Sequence, residues 1–129
     1  MKKNSLAFIL LFIIATSFTF LDANSDITAA IKTGNYKTIA GFFNANVELN
    51  LPGNEGIYSK VQAESILKDF FAKNTPRSYT SKHDGQSNEG SQYSIGILET
   101  SGGKYRTYFL LKKQADGLKI KEFRIEAEK

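Results

Sequence analysis

Around residue 77 the spacing of apolar side chains changes, and that change restricts the chain to helices first and an antiparallel sheet afterwards. Before it, apolar residues recur three and four apart. Ile27, Ala30 and Ile31 make a short stripe that Ser25 or Asp26 can cap and Gly34 closes. Tyr36, Ile39, Ala40 and Phe43 make a second stripe, restarted by Asn35. Ala63, Ile66, Leu67, Phe70 and Phe71 make a third, opened by a Ser59/Gln62 capping box and stopped by Asn74 and Pro76. Between the second and third, Asn46 to Leu51 alternates as a half-buried strand, with Val47, Leu49 and Leu51 inward. Pro52 to Gly56 reads as a loop of turn formers. After residue 77 the period falls to 2 in runs at 78–84, 92–100, 104–114 and 118–126, which predicts four strands in meander order.

Two glycine pairs suggest how those strands align. Taken as two-residue hairpin loops, Gly102-Gly103 sets Ile95 opposite Leu110, Ile97 opposite Tyr108 and Glu99 opposite Arg106. Asp116-Gly117 sets Leu110 opposite Phe123 and Tyr108 opposite Ile125. Opposed residues share a sheet face, so the face under the helices is expected to carry Ile95, Ile97, Tyr108, Leu110, Phe123 and Ile125. The other face is then mixed, with Gly96, Phe109, Leu111 and Arg124. A half-apolar second side of this kind favours pairing with a second copy, so a homodimer through the outer sheet face is the partner expectation.

The chain of 129 residues has room for one domain. Met1-Lys2-Lys3 followed by the apolar run Leu6 to Ala15 has the layout of a secretory signal, which assigns 1–23 to a signal peptide and 24–129 to the domain. Thr16, Ser17 and Thr19 dilute the run and Asp22 ends it, short of the roughly 20 apolar residues of a spanning helix, so no integral membrane span is expected after cleavage. Cleavage after Ser17 and cleavage after Ala23 both remain open. Without residues 1–23 the balance is 15 Lys and Arg against 12 Asp and Glu, too mild for a nucleic-acid footprint. The chain has no cysteine, which excludes lipoprotein attachment, disulfides and thiolate sites. The leader and the Lys- and Asn-rich composition make an exported location, periplasm or extracellular space, the expectation.

Three stretches carry a resemblance to a known family. They are Gly34-Asn35-Tyr36 with Phe42-Phe43, then Gln92 to Gly96 with Leu98 and Thr100, and then Tyr105 to Lys113 leading to Arg124-Ile125-Glu126. Over about residues 26–126 the chain resembles a family of small exported Bacteroidota proteins that share a domain of unknown function. That family lies within the nuclear-transport-factor-2-like, or cystatin-like, superfamily. The resemblance implies an α+β fold, N-terminal helices packed on a curved antiparallel sheet to form a cone, and it supplies no activity to carry over.

Residues that would point into such a cone are therefore the functional candidates. Glu99 and Arg106, at one end of the apolar stripe, would orient a polar or anionic ligand, although an ordinary cross-strand ion pair is the stronger reading. Tyr93 and Tyr108 are the preferred lining residues of a ligand pocket; Tyr36 reads as core. His83, the single histidine, reads as a surface residue whose neighbour Asp84 points to the opposite face. Glu48 reads as solvated, because Val47, Leu49 and Leu51 claim the buried side. No phosphate loop, nucleophile elbow, metal or cofactor pattern occurs in the sequence. The leading reading is a noncatalytic exported domain that binds a small ligand in the cone or a partner. A cofactor-independent isomerase or dehydratase working in the cone, and an envelope interaction module, stand as alternatives.

Overall fold

The computed structural model describes residues 22–129. The signal-peptide expectation falls almost wholly on residues outside them. Helix α1 (Ala23–Thr33) is capped by Asp22, whose carboxylate accepts from the Asn24 N–H at 3.3 Å. This cap lies upstream of the Ser25 or Asp26 expected. Gly34 ends the helix at φ 71°, a left-handed conformation that glycine adopts without strain. Asn35 then caps α2 (Tyr36–Gly41) by accepting from the Thr38 N–H at 3.2 Å. This helix stops before Phe43, which instead begins β1 (Phe43–Leu51).

The expected loop at 52–56 is half strand. Pro52-Gly53 is a tight turn, with Leu51 paired to Asn54, and the chain returns along β1 as β2 (Asn54–Ser59). Two glycines in a run of turn formers hid a strand whose only large apolar residues are Ile57 and Tyr58. Ser59 and Gln62 form the expected capping box of α3 (Lys60–Lys73), with the Gln62 N–H donating to Ser59 Oγ at 3.2 Å and the Ser59 N–H to Gln62 Oε1 at 3.1 Å. Asn74 ends α3 as expected. The four later strands also follow the sequence pattern: β3 (Pro76–Gln86), β4 (Gln92–Thr100), β5 (Gly103–Gln114) and β6 (Gly117–Ala127).

The strands form one curved six-stranded sheet in the order β2-β1-β6-β5-β4-β3. All neighbouring pairs are antiparallel except β1 with β6, which is parallel, so the sheet is mixed. The helices cover one face.

The alignment of the last three strands differs from the expectation in two ways. Both hairpin loops sit one residue earlier: Thr100 pairs with Gly103 and Gln114 with Gly117, which leaves Ser101-Gly102 and Ala115-Asp116 as the loops. Gly103 and Gly117 still supply positive φ, at 136° and 115°, but from the first position past each loop. Moving a loop by one residue shifts the pairing by two and keeps every side chain on its face. The decisive difference is a β-bulge in β6. Ile120 pairs with Leu111 and Glu122 with Leu110, so Lys121 is the extra residue. One extra residue transfers everything beyond it to the other face. Phe123 and Ile125 are therefore level with Phe109 and Thr107, not with Leu110 and Tyr108.

The helix-covered face consequently holds Ser94, Leu98, Thr107, Phe109, Leu111, Ile120, Phe123 and Ile125, all fully buried. Phe123 is at the centre, edge-on to Phe43 at 6.0 Å and stacked on Phe109 at 6.5 Å. Ile27 and Ile31 of α1, Ile39 and Ala40 of α2, and Ala63 and Leu67 of α3 close over these rings. Burying an aliphatic or aromatic side chain of this size stabilises by about 1.5–3 kcal/mol, which is why a cysteine-free domain can hold together on its core.

Candidate functional site

Tyr93, Glu99, Arg106 and Tyr108 do share one face of the sheet, but it is the face turned away from the helices. Their expected place inside the cone is corrected by the Lys121 bulge, which gives the inner face to Phe109 and Phe123. The expected Glu99–Arg106 pair is also replaced. Glu99 is directly opposite Lys104 and forms an ion pair with it at 3.3 Å, while Arg106 is opposite Ile97 on β4 and Glu126 on β6. The Glu99 carboxylate also accepts from Ser78 Oγ at 2.9 Å. The Ser78 hydrogen bond and the Lys104 ammonium together hold its pKa below the usual glutamate value.

The outer face has an apolar strip along β4 and β5 made by Tyr93, Ile95, Ile97, Tyr108 and Leu110, none of them fully covered. A row of polarisable groups crosses this strip. His83 Nε2 is 2.9 Å from the Tyr93 hydroxyl, Tyr93 lies near-parallel to Tyr108 at 6.4 Å, and the Arg124 guanidinium sits 5.5 Å from the Tyr108 ring centre. Arg124 is in turn paired with Glu122. Burial and the nearby Glu122 raise the Tyr108 phenol pKa. His83 is exposed and its neighbour Asp84 serves the opposite face, both as expected. Glu48 is likewise exposed on the outer face of β1.

Two shallow basins are formed here. One, of about 730 Å³, is floored by Ile95 and Ile97 and rimmed by Lys82, Glu99, Lys104 and Arg106. The other, of about 270 Å³, lies between Arg106, Tyr108, Glu122, Arg124 and Glu126. Arg106 borders both. Lys82, Glu122 and Glu126 were not among the sequence candidates. The signal for Lys82 is a second bulge, between the pairs Ser81/Gly96 and His83/Ile95, which alternation within 78–84 does not reveal.

The concave side has polar groups of its own, and they are satisfied locally. Thr107 Oγ1 lies 3.2 Å from the Gly96 carbonyl and 3.3 Å from the Tyr79 hydroxyl, and Ser94 Oγ donates to Asp84 at 2.6 Å. Burial raises the Tyr79 phenol pKa, against the lowering effect of its hydrogen bonds with Thr107 and Ser94. A neutral phenol held in this way ties β3 to β5 across Gly96, whose missing side chain leaves room for the ring. Among the described residues, no group of three His, Asp or Glu side chains is placed to hold a metal ion, and no helix is long and apolar enough to cross a membrane.

Helices seated on one side of a curved six-stranded sheet define the nuclear-transport-factor-2-like, or cystatin-like, class. Solved structures agree: a nuclear-transport-factor-2-like protein of unknown function from Burkholderia xenovorans superimposes with a TM-score of 0.61 at 8% identity, over 83% of this chain and 82% of that one. Within the class, the model of a domain of unknown function, DUF4783, matches residues 24–126, and the chain belongs to that family. The chain is similar to DUF4783 proteins from Bacteroides uniformis (26% identity, TM-score 0.76, 81% of this chain and 96% of that one) and Bacteroides ovatus (27% identity, TM-score 0.75, 81% and 94%). No curated protein matches it.

Proposed function

We propose that this domain is an exported, noncatalytic binding module whose working surface is the outer face of β3–β6, and that its partner there is a second copy of the chain. One observation carries this reading: a contiguous, partly exposed apolar strip lies on the side of the sheet that the helices leave open. Its edges carry both signs intermixed, Lys82, Lys104 and Arg106 with Glu99 toward β3–β5, and Arg124 with Glu48, Glu122 and Glu126 toward β1–β6. A surface that is apolar at its centre and carries both signs at its edges is complementary to its own copy. The concave side favours a structural role, because Phe43, Phe109 and Phe123 fill its centre.

The test is the oligomeric state of the purified protein by sedimentation equilibrium, with Ile97→Lys as the disrupting variant. A dimer that this substitution converts to a monomer is the expected result. A wild-type protein that stays monomeric at high micromolar concentration overturns the proposal.

Export rests on the leader, and the first residue of protein recovered from the cell envelope or medium tests it. Cleavage after Ser17 keeps the Asp22 cap of α1. Cleavage after Ala23 removes it, at a cost of about 0.5–2 kcal/mol. Retention of an intact leader in the cytoplasm overturns the export reading.

A further inference from the structure

We infer that the free edge of β2 is a strand-addition site, which takes up an extended segment of another protein that alternates an aliphatic with a basic side chain. The inference is independent of a second copy on the outer face of β3–β6. The sheet ends in β2 on one side and in β3 on the other. Edge strands present unpaired N–H and C=O groups, and proline, lysine or a bulge ordinarily protects them. β3 has all three: Pro76, Lys82, and register breaks after Pro76 and after Ser81. β2 has none of them, and its one charge is Glu55. It carries Ile57, 76% exposed, and Val61 follows in the first turn of α3 at 78%. These two are the exposed large hydrophobic side chains among the described residues.

Backbone geometry sets which groups are free. The two-residue Pro52-Gly53 turn closes on the hydrogen-bonded pair of Leu51 and Asn54, so Gly56 and Tyr58 also point their N–H and C=O toward β1. Glu55, Ile57 and Ser59 point theirs outward. Ser59 agrees with this parity, because its N–H donates to Gln62 Oε1 at 3.1 Å and not to β1. Glu55 and Ile57 are left with both groups open, enough for about four backbone hydrogen bonds to one antiparallel strand. Their side chains share the outer face, where Ile57 is level with Glu48 and Glu55 with Asn50. An incoming apolar residue fits beside Ile57, and the residue two positions away then meets Glu55.

Charge selects a basic residue there. Glu55 accepts from the Asn50 amide at 3.4 Å and forms no ion pair among the described residues. Arg124 is level with Asn50, but it lies two strands in from β2, roughly 10 Å away, and is paired with Glu122. Lys60, past the other end of the strand, donates to the Gly41 carbonyl at 3.4 Å. The shallow groove of about 300 Å³ between Glu48, Asn50, Glu55, Ile57 and Arg124 is therefore net acidic beside an exposed aliphatic side chain.

The test uses a labelled synthetic peptide, Thr-Val-Thr-Lys repeated three times, titrated into the protein and followed by fluorescence anisotropy and amide hydrogen exchange. Saturable binding is expected, with exchange at the Glu55 and Ile57 amides slowed about tenfold or more. The same peptide methylated on its valine nitrogens, which would face β2, is expected not to bind. Ile57→Ser should weaken binding about tenfold. Glu55→Lys should weaken it about fivefold and favour a Thr-Val-Thr-Glu peptide by a similar factor. Both side chains are exposed, and circular dichroism checks that each variant is folded. Absence of saturable binding, protection along β3 or on the outer strip in place of β2, or equal affinity of the wild-type protein for the lysine and glutamate peptides overturns the inference.

Discussion

Phe109 and Phe123 face each other across β5 and β6, with rings 6.5 Å apart and only 14° from parallel, and that pairing fixes which side of the sheet is the core. Phe123 also meets Phe43 edge-on, so it is enclosed by aromatic rings from two strands. Tyr108, one residue from Phe109, is on the opposite side and partly exposed. Phe123→Ala is expected to cost about 3–5 kcal/mol in urea denaturation, whereas Tyr108→Ala should cost about 1 kcal/mol or less in the monomer. Equal losses would contradict the face assignment.

Gly96 and Gly85 each lie beneath a tyrosine, on opposite faces. A β-carbon on Gly96 would overlap the Tyr79 hydroxyl, and one on Gly85 would overlap the Tyr93 ring. Tyr79 is packed against the core and hydrogen-bonded to Thr107, so it cannot withdraw without losing that contact. Tyr93 has solvent on its outer side. Gly96→Ala should destabilise by about 1–3 kcal/mol through overpacking, and Gly85→Ala by less than about 1 kcal/mol. Thermal melts of the two variants, compared directly, check the order.

Glu99 sets an acid-side prediction. Its pKa is lowered in the folded chain by Ser78 and then Lys104, so the folded state binds this proton less readily than the unfolded chain. The contribution to stability is present above the unfolded value of 4.5 and is lost as pH falls through the lower, folded value. Ser78→Ala should raise the Glu99 pKa toward 4.5, read by the carboxyl carbon shift in an NMR titration. An unchanged titration would remove the Ser78 hydrogen bond from the account.

Local chemistry was legible wherever a short segment decides its own structure. The Ser59/Gln62 box, the Gly34 stop and the four late strands follow from spacing and from hydrogen-bond groups within a few residues. Face assignment was less legible because β4 and β5 are apolar on both sides. On β4 the larger residues Ile95 and Ile97 face outward, while Ser94 and Gly96 face the core, where Asp84 and the Tyr79 ring meet them. The Lys121 bulge did leave a trace. Ile120 and Phe123 are three apart, and strict alternation cannot bury both. The glycines of both hairpins suggested turns but not which loop position each would take.

The amino-acid order alone determined that helices precede a meander, where Gly34 ends the first helix, where the third helix starts and stops, and that a cysteine-free domain must depend on burial, because these follow from short-range geometry and composition. Only the tertiary structure decided which side of the sheet is buried. A single inserted residue in β6 inverts that choice, and its position is set by packing Phe123 between Phe43 and Phe109, residues distant along the chain. The candidate site moved with it, from the interior of the cone to the open face.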